Sequence, residues 1–205
     1  MNNTELMPAG GWIAHAAPRL VPPPPRERGL LFRGVAQASR WFGRSELPDI
    51  FTVLHINPRL FWGWLYFASR LMPFGRLPAA LREMIILRTA WNTRSRYEWG
   101  QHVDIGLRCG VSDAQIVAVT QGSAAFGDPV ERAVMQACDE LLRERVIADE
   151  TWATLRTRYS DRLLIEIVML VGHYEMVAGF LNTAGLVLEP TIEAKLQAFN
   201  KRVSG

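Results

Sequence analysis

The sequence predicts an all-α protein, and three observations carry that prediction. Alternating apolar–polar runs are absent, and the valines and isoleucines fall within helical periods. Prolines sit where helices would begin, at Pro58, Pro78 and Pro190, and glycines where they would end, at Gly110 and Gly185. A helix is expected over 49–53, followed by one over 59–71 with Pro58 at its first position. Its aromatics, Phe61, Trp62, Trp64 and Phe67, are core or subunit-contact material. Pro78 opens the next helix, 79–91, and Asn92-Thr93 breaks it. A further helix over 95–108 is closed by Gly110, and Ser112-Asp113-Ala114-Gln115 reads as a capping box opening a short one. Helices over 128–145 and 149–159 follow, then a long apolar helix over 162–183 ended by Gly185, and a last one after Pro190. Tyr97-Glu98-Trp99 leading to Gly110-Val111 is echoed by Tyr174-Glu175-Met176 leading to Gly185-Leu186, as two related helical hairpins would produce.

Two segments are expected: an arm over 1–30 and a helical domain over 31–205. The arm holds Gly10-Gly11 and four prolines at 22–25 followed by Arg26, Glu27 and Arg28, which favour extended chain. It either wraps a neighbouring subunit or moves freely; the sequence does not separate these.

With 205 residues, 49% hydrophobic and 21% charged, the chain can bury a full core. A formal charge of +3, with basic residues scattered among acids, argues against a nucleic-acid partner. Cys109 and Cys138 have neither Cys-x-x-Cys nor metal-ligand spacing and read as reduced, buried thiols, which suits a reducing cytoplasm. No secretory signal is apparent at the N-terminus. The longest apolar stretch, 163–187, is interrupted by Glu166, His173 and Glu175, so no membrane span is expected and the protein should be soluble.

The chemistry concentrates in 83–102. Glu98 and His102, four apart, share a helix face, with Ser95 one turn earlier. Glu83 lies on the preceding helix among Met84, Ile85, Ile86 and Leu87, where desolvation would raise its pKa toward the range useful for proton transfer. If these helices form a hairpin, Glu83 and His102 converge as an acid–base pair. Two plainer readings stand beside this: Ser95-x-x-Glu98 is itself a capping-box spacing, and Glu98–His102 matches a surface ion pair. On the long helix Arg162, Glu166 and His173 form a polar stripe that needs partners, with His173 a pocket-lining candidate. Arg82 or Arg88 could hold a substrate carboxylate, or form ordinary salt bridges. Glu98 and His102 could supply two metal ligands, and Glu166 or His173 more, but no dense His, Asp and Glu cluster supports a metal. His15 and His55 support no functional claim.

The spacing of Glu83, Ser95, Glu98 and His102 resembles the signature of the carboxymuconolactone decarboxylase and alkylhydroperoxidase D superfamily. That signature reads Glu, eleven residues, Cys, two, Cys, three, His; here Ser95 and Glu98 stand in both cysteine positions. The likeness covers roughly 45–190 and rests on two segments. One runs from Leu77-Pro78 through Arg82-Glu83-Met84 to Tyr97-Glu98-Trp99-Gly100-Gln101-His102. The other runs from Leu164-Ile165-Glu166 through Gly172-His173-Tyr174 to Leu188-Glu189-Pro190. The resemblance implies an alkylhydroperoxidase D-like bundle of paired helical hairpins, assembled as a homotrimer or homohexamer, acting on a small molecule without a cofactor. In the peroxidase branch the two cysteines do thiol–disulfide chemistry, which Ser95 and Glu98 cannot. The decarboxylase branch needs no thiol. By that resemblance His102 donates the proton, Glu83 orients it, Glu98 assists, and Tyr97, Ser95, Arg82 and His173 line the substrate pocket. The expected substrate is a lactone or other cyclic carboxylated metabolite of aromatic-compound breakdown. A peroxidase using Cys109 or Cys138, and a non-catalytic binding protein, are the alternatives.

Overall fold

A computed structural model describes residues 5–27, 29, 32, 34, 37 and 47–204. Among the described residues nine α-helices and two short 3₁₀ turns have defined bounds and no strand occurs; Phe32, Gly34 and Gln37 are helical as well. The helices are α1 (Asp49–Leu54), α2 (Pro58–Leu71), α3 (Ala79–Asn92), α4 (Arg96–Arg108), α5 (Asp113–Gln121), α6 (Pro129–Glu144), α7 (Asp149–Arg156), α8 (Asp161–Ala184) and α9 (Pro190–Val203).

Local chemistry sets most helix ends. The Asn57 side chain accepts from Leu60 N–H at the start of α2, and Asp128 accepts from Val130 and Glu131 at the start of α6. Ser112 and Gln115 form the expected capping box on α5. The predicted Ser95–Glu98 box does not form. Ser95 holds the N-cap position of α4, but its hydroxyl makes no capping bond. Its own N–H is already donated to the Ala90 carbonyl at 2.9 Å, so Glu98 has no donor to return to.

The echo between the two halves proves to be one of helix termination. Gly110 and Gly185 both adopt positive φ, 88° and 69°. The residue after each donates back five positions, Val111 to Gly106 and Leu186 to Leu181. Tyr97 and Tyr174 lie at different distances from these ends, so the Tyr-Glu pairs do not occupy equivalent turns.

Helix α3 is the axis of the molecule. Every residue from 81 to 90 is buried, and the helix packs against α4, α5, α6 and α8. A helix enclosed on all sides must partner its polar groups internally. Arg88 does so with a two-pronged pair to Asp139, at 2.7 and 2.9 Å, and a bond to the Val119 carbonyl. That guanidinium is therefore committed to the core and has no role as a substrate clamp.

Helix α8 corrects one expectation. By length and composition it could cross a membrane, interruptions notwithstanding. It runs instead along the core, burying Leu164, Ile167, Leu170, Val171, Ala178 and Leu181. Glu166 leaves it to accept the N–H groups of Arg76 and Leu77, at 2.7 and 2.9 Å, and so ties the α2–α3 connection to α8. Gly75 makes this possible, because a Cβ there would stand 2.3 Å from the Leu71 carbonyl oxygen and 2.6 Å from Glu166 Oε1. Arg162 is exposed.

The described part of the arm is tied to its own chain. Arg94, itself at φ 57°, donates to the Gly10 and Gly11 carbonyls, both at 2.6 Å. Trp12 packs edge-on against Trp91, His15 Nε2 meets the Asn182 carbonyl at 2.8 Å, and Arg19 N–H donates to Ala184. Arg28 and Leu31, where the sequence puts the change from arm to domain, lie outside the described residues.

Candidate active site

Helices α3 and α4 form a hairpin, and it brings Glu83 and His102 together. His102 Nδ1 lies 2.7 Å from Glu83 Oε2. The other carboxylate oxygen, Oε1, accepts from Arg82 Nε and Nη2, both at 3.1 Å. All three side chains are buried, Glu83 completely. Burial pushes the Glu83 carboxyl up, but the adjacent His102 and Arg82 outweigh it and hold the group below its ordinary value. This reverses the sequence expectation, which saw the apolar residues that follow Glu83 but not its pairing with Arg82 and His102. An ionised Glu83 accepts from Nδ1–H of His102 and so fixes the tautomer, leaving Nε2 for chemistry.

Helical geometry sorts the remaining candidates. At about 100° per residue, Ser95, Glu98 and His102 fall within roughly 60° of one another on α4, whereas Tyr97 and Gln101 face well away. Tyr97 and Gln101 accordingly meet a different partner. The Tyr97 hydroxyl donates to Glu189 Oε1 at 2.6 Å and Gln101 donates to Oε2 at 2.5 Å, while Asp49 N–H adds a third bond to the same carboxylate. Sequence reasoning missed Glu189; its place immediately before Pro190, at the start of α9, was the available signal. The structure thus puts Tyr97 in a clamp between α1, α4 and α9, and not with Ser95 and Glu98. Burial, then the Glu189 charge, raises its phenol well above the ordinary value.

Ser95 and Glu98 are both buried, and neither the Ser95 hydroxyl nor either Glu98 carboxyl oxygen finds a hydrogen-bond partner among the described residues. Desolvation, with no compensating charge, raises the Glu98 carboxyl well above its ordinary value. Glu83 and Glu98, fifteen residues apart, are thus driven in opposite directions, the Glu83 carboxyl down and the Glu98 carboxyl up.

His173 comes from α8 onto the aromatic face of α2. Its ring lies parallel to Trp64 with centroids 6.1 Å apart and edge-on to Phe67 at 5.4 Å. Desolvation lowers its pKa to about 4, and Nδ1 has no partner among the described residues. Tyr174, beside it, sets its ring perpendicular to His102 at 5.1 Å and so joins the two histidines. The polar residues considered for a metal are not gathered here: Glu166 serves the backbone of 76 and 77, and no group of three or more His, Cys, Asp or Glu stands together among the described residues.

Neither cysteine has an activating environment. Burial raises the Cys109 thiol, and the Glu83 charge raises it further. Cys138 is completely buried and pushed far up by desolvation. A separate cavity of about 410 Å³ lies under the arm, lined by Ile13, His15, Arg96, Tyr97, Leu186 and Glu193 among others. None of Glu83, Ser95, Glu98, His102 or His173 lines it.

Residues 58–140 match the carboxymuconolactone decarboxylase family. This stretch contains the Glu83–His102 hairpin. The likeness to that family spans this stretch, less than half of the chain. Solved structures share the all-α fold. An uncharacterized peroxidase-related protein from Ralstonia eutropha, an alkylhydroperoxidase AhpD core, superposes with a TM-score of 0.76 at 18% identity, over 87% of this chain and 96% of its own. The debrominase Bmp8 in complex with 2,3,4-tribromopyrrole gives 0.74 at 16% identity, over 91% of this chain and 99% of its own. A peroxidase-related protein from Silicibacter gives 0.76 at 12% identity, over 87% and 95%. At such identities the likeness is one of fold. No curated protein matches the chain.

Proposed function

We propose that this protein is a cofactor-independent acid–base enzyme that decarboxylates or isomerises a lactone or other cyclic carboxylated metabolite from aromatic-compound breakdown. The observation that carries the reading is the buried Arg82–Glu83–His102 chain, with its 2.7 Å contact between carboxylate and imidazole. A carboxylate anchored on one side by a guanidinium cannot turn away, so it holds the imidazole in one orientation and one tautomer. It also compensates the charge of the imidazolium that forms whenever Nε2 carries a proton.

For a carboxylated lactone the steps balance simply. The bond to the carboxylate breaks, carbon dioxide leaves, and the electron pair enters the lactone as a dienolate. His102 Nε2–H delivers a proton to carbon and is reprotonated from solvent. Arg82, bound to Glu83, serves in this reading as the anchor of the relay. Holding Arg82 on Glu83 keeps its charge off the departing carboxylate, and clamping that carboxylate would stabilise the ground state. Trp64, Phe67, His173 and Tyr174 supply flat apolar surfaces suited to a small ring. The tribromopyrrole bound by the debrominase is also a five-membered planar ring, which supports a ligand of that size in this fold.

The test is time-resolved ultraviolet absorbance with 4-carboxymuconolactone, comparing the protein with His102→Ala. We expect turnover that falls by at least about a hundredfold in the variant. Equal turnover by parent and variant would overturn the role of His102. No turnover by the folded parent would remove that lactone as the substrate.

A further inference from the structure

Two polar side chains in the hairpin are left over by the relay, and they occupy the positions where the family signature has sulfur. Ser95 is 0% and Glu98 2% exposed, and their three side-chain oxygens lack a partner among the described residues. Buried hydroxyl and carboxyl groups without partners cost stability, and a fold has no structural use for two of them on one helix face. Both stand at the start of α4, whose first N–H groups receive no side-chain cap. The positive end of a thirteen-residue helix favours negative charge there. His102 lies one turn further along the same face.

We infer that Ser95 and Glu98 form a paired hydrogen-bond donor for the oxygen of an enolisable carbonyl ligand, with Glu98 acting as a neutral carboxylic acid. This deepens the acid–base reading above and rests on it for the identity of the reaction. The ligand class follows from the donor set. A hydroxyl and an un-ionised carboxyl each offer one O–H, and a carbonyl oxygen offers two lone pairs. The bonds strengthen as that oxygen gains charge, so the pair stabilises the dienolate more than the bound lactone. Sulfur at these positions would offer only weak donors, which explains why the exchange suits a proton-transfer enzyme. The division of labour is then complete: Glu83 ionised and holding His102, His102 moving the proton to carbon, Ser95 and Glu98 neutral and receiving the oxygen.

The probe is 4-nitrophenol, a flat ring with a single ionisable oxygen, whose ionised form is read directly by its visible absorbance. Bound 4-nitrophenol should ionise at lower pH than in free solution. Ser95→Ala and Glu98→Met should each weaken phenolate binding by about tenfold to a hundredfold, the range for a hydrogen bond to a charged group. Glu98→Gln keeps an uncharged donor and should lose only about threefold. Glu98→Met should melt no lower than the parent, because it removes an unpartnered buried carboxyl, so lost binding there is not lost folding. The infrared difference between parent and Glu98→Gln should show the carbonyl band of a protonated carboxyl at neutral pH. Phenolate binding unchanged in Ser95→Ala and Glu98→Met would overturn the inference, as would a parent that does not bind the probe at millimolar concentration. Binding that improves tenfold in Glu98→Gln would reveal an ionised Glu98 and overturn it as well. His102→Ala should still bind the probe, which keeps this outcome separate from the turnover test. A lactone that is not turned over while the donor series behaves as expected would fault the reaction and leave the donor pair standing.

Discussion

Replacing Glu83 by glutamine tests the relay at its centre, with almost no change of shape. The carboxylate accepts from Arg82 through one oxygen and from His102 through the other, in a site with no exposure of the Glu83 side chain. An amide can accept through only one oxygen and presents its own N–H groups to a neighbouring donor. It also leaves the Arg82 guanidinium, 6% exposed, without its counter-charge. At 3.1 Å and an effective dielectric near 20, the lost attraction is about 5 kcal/mol, and breaking a buried pair from one side costs about 3–5 kcal/mol. For a chain of 205 residues, where 1 kcal/mol shifts Tm by about 2–4 °C, Glu83→Gln should melt about 6–20 °C lower at pH 7. Arg82→Met combined with Glu83→Gln removes both charges and should recover most of that loss. The pH dependence is equally constrained. Because the Glu83 pKa is depressed below 4.5 on folding, its contribution is complete above that pH and is lost as pH falls through the depressed value. The gap between parent and variant should therefore narrow in strong acid. Urea and thermal unfolding followed by circular dichroism at pH 7 and below pH 4 measure both effects. A variant within 1 kcal/mol of the parent at pH 7, or a gap that widens in acid, would refute the placement of a carboxylate between Arg82 and His102.

Two further predictions concern α8. His173 is held neutral by desolvation among Trp64, Phe67 and Tyr174, with its pKa lowered to about 4, whereas the unfolded chain protonates near 6.5. The unfolded state therefore binds more protons below pH 6.5, and stability should fall by up to about 1.4 kcal/mol per pH unit between 6.5 and 4.5, above the range where Glu83 titrates. His173→Phe, which keeps the ring contacts, should flatten that window; parallel profiles for parent and variant would show that His173 is not buried as described. On the face of α8 turned away from the core, Ile165, Met169 and Met176 are 63%, 46% and 56% exposed, interleaved with Gly172 and Gly179 at heptad spacing. We propose this stripe as the contact between copies of the chain. Met169→Glu combined with Met176→Glu should lower the mass measured by light scattering, and an unchanged mass would place the contact elsewhere.

How much of this was legible in the sequence depends on the range of the interaction involved. Ser112-x-x-Gln115, Asp128 and Gly185 mark helix ends through bonds to residues two to four positions away, and Pro58 marks one through its own fixed φ, so the sequence carries their whole context. The α3–α4 hairpin was legible because Glu83 and His102 sit on adjacent helices joined by a short turn. Ser95-x-x-Glu98 satisfied the same local rule as Ser112-x-x-Gln115 and failed it, because the N–H that Glu98 would cap is taken by Ala90. The direction of the Glu83 shift was misread for a related reason. The residues that follow it are apolar, but the two groups that decide its charge are Arg82, immediately before it and turned back onto it, and His102, nineteen residues away. The Glu189 clamp and the arm's bonds to Arg94 and Ala184 join residues more than eighty positions apart, beyond any pattern read along the chain.

The same distinction explains why the altered signature is more informative in three dimensions than in one. In the sequence, Ser95 and Glu98 are simply two missing cysteines, which subtracts a chemistry without supplying another. In the fold they are two buried polar groups without partners, one turn from an imidazole whose orientation is already fixed. An ion pair or a cap would have explained them structurally, and Ala90 and Arg82 have already taken the roles that could provide either. Serine and glutamate at these positions are therefore poor choices for stability alone. Their retention makes physical sense if the missing partner is the oxygen of a bound carbonyl compound, met only when the site is occupied.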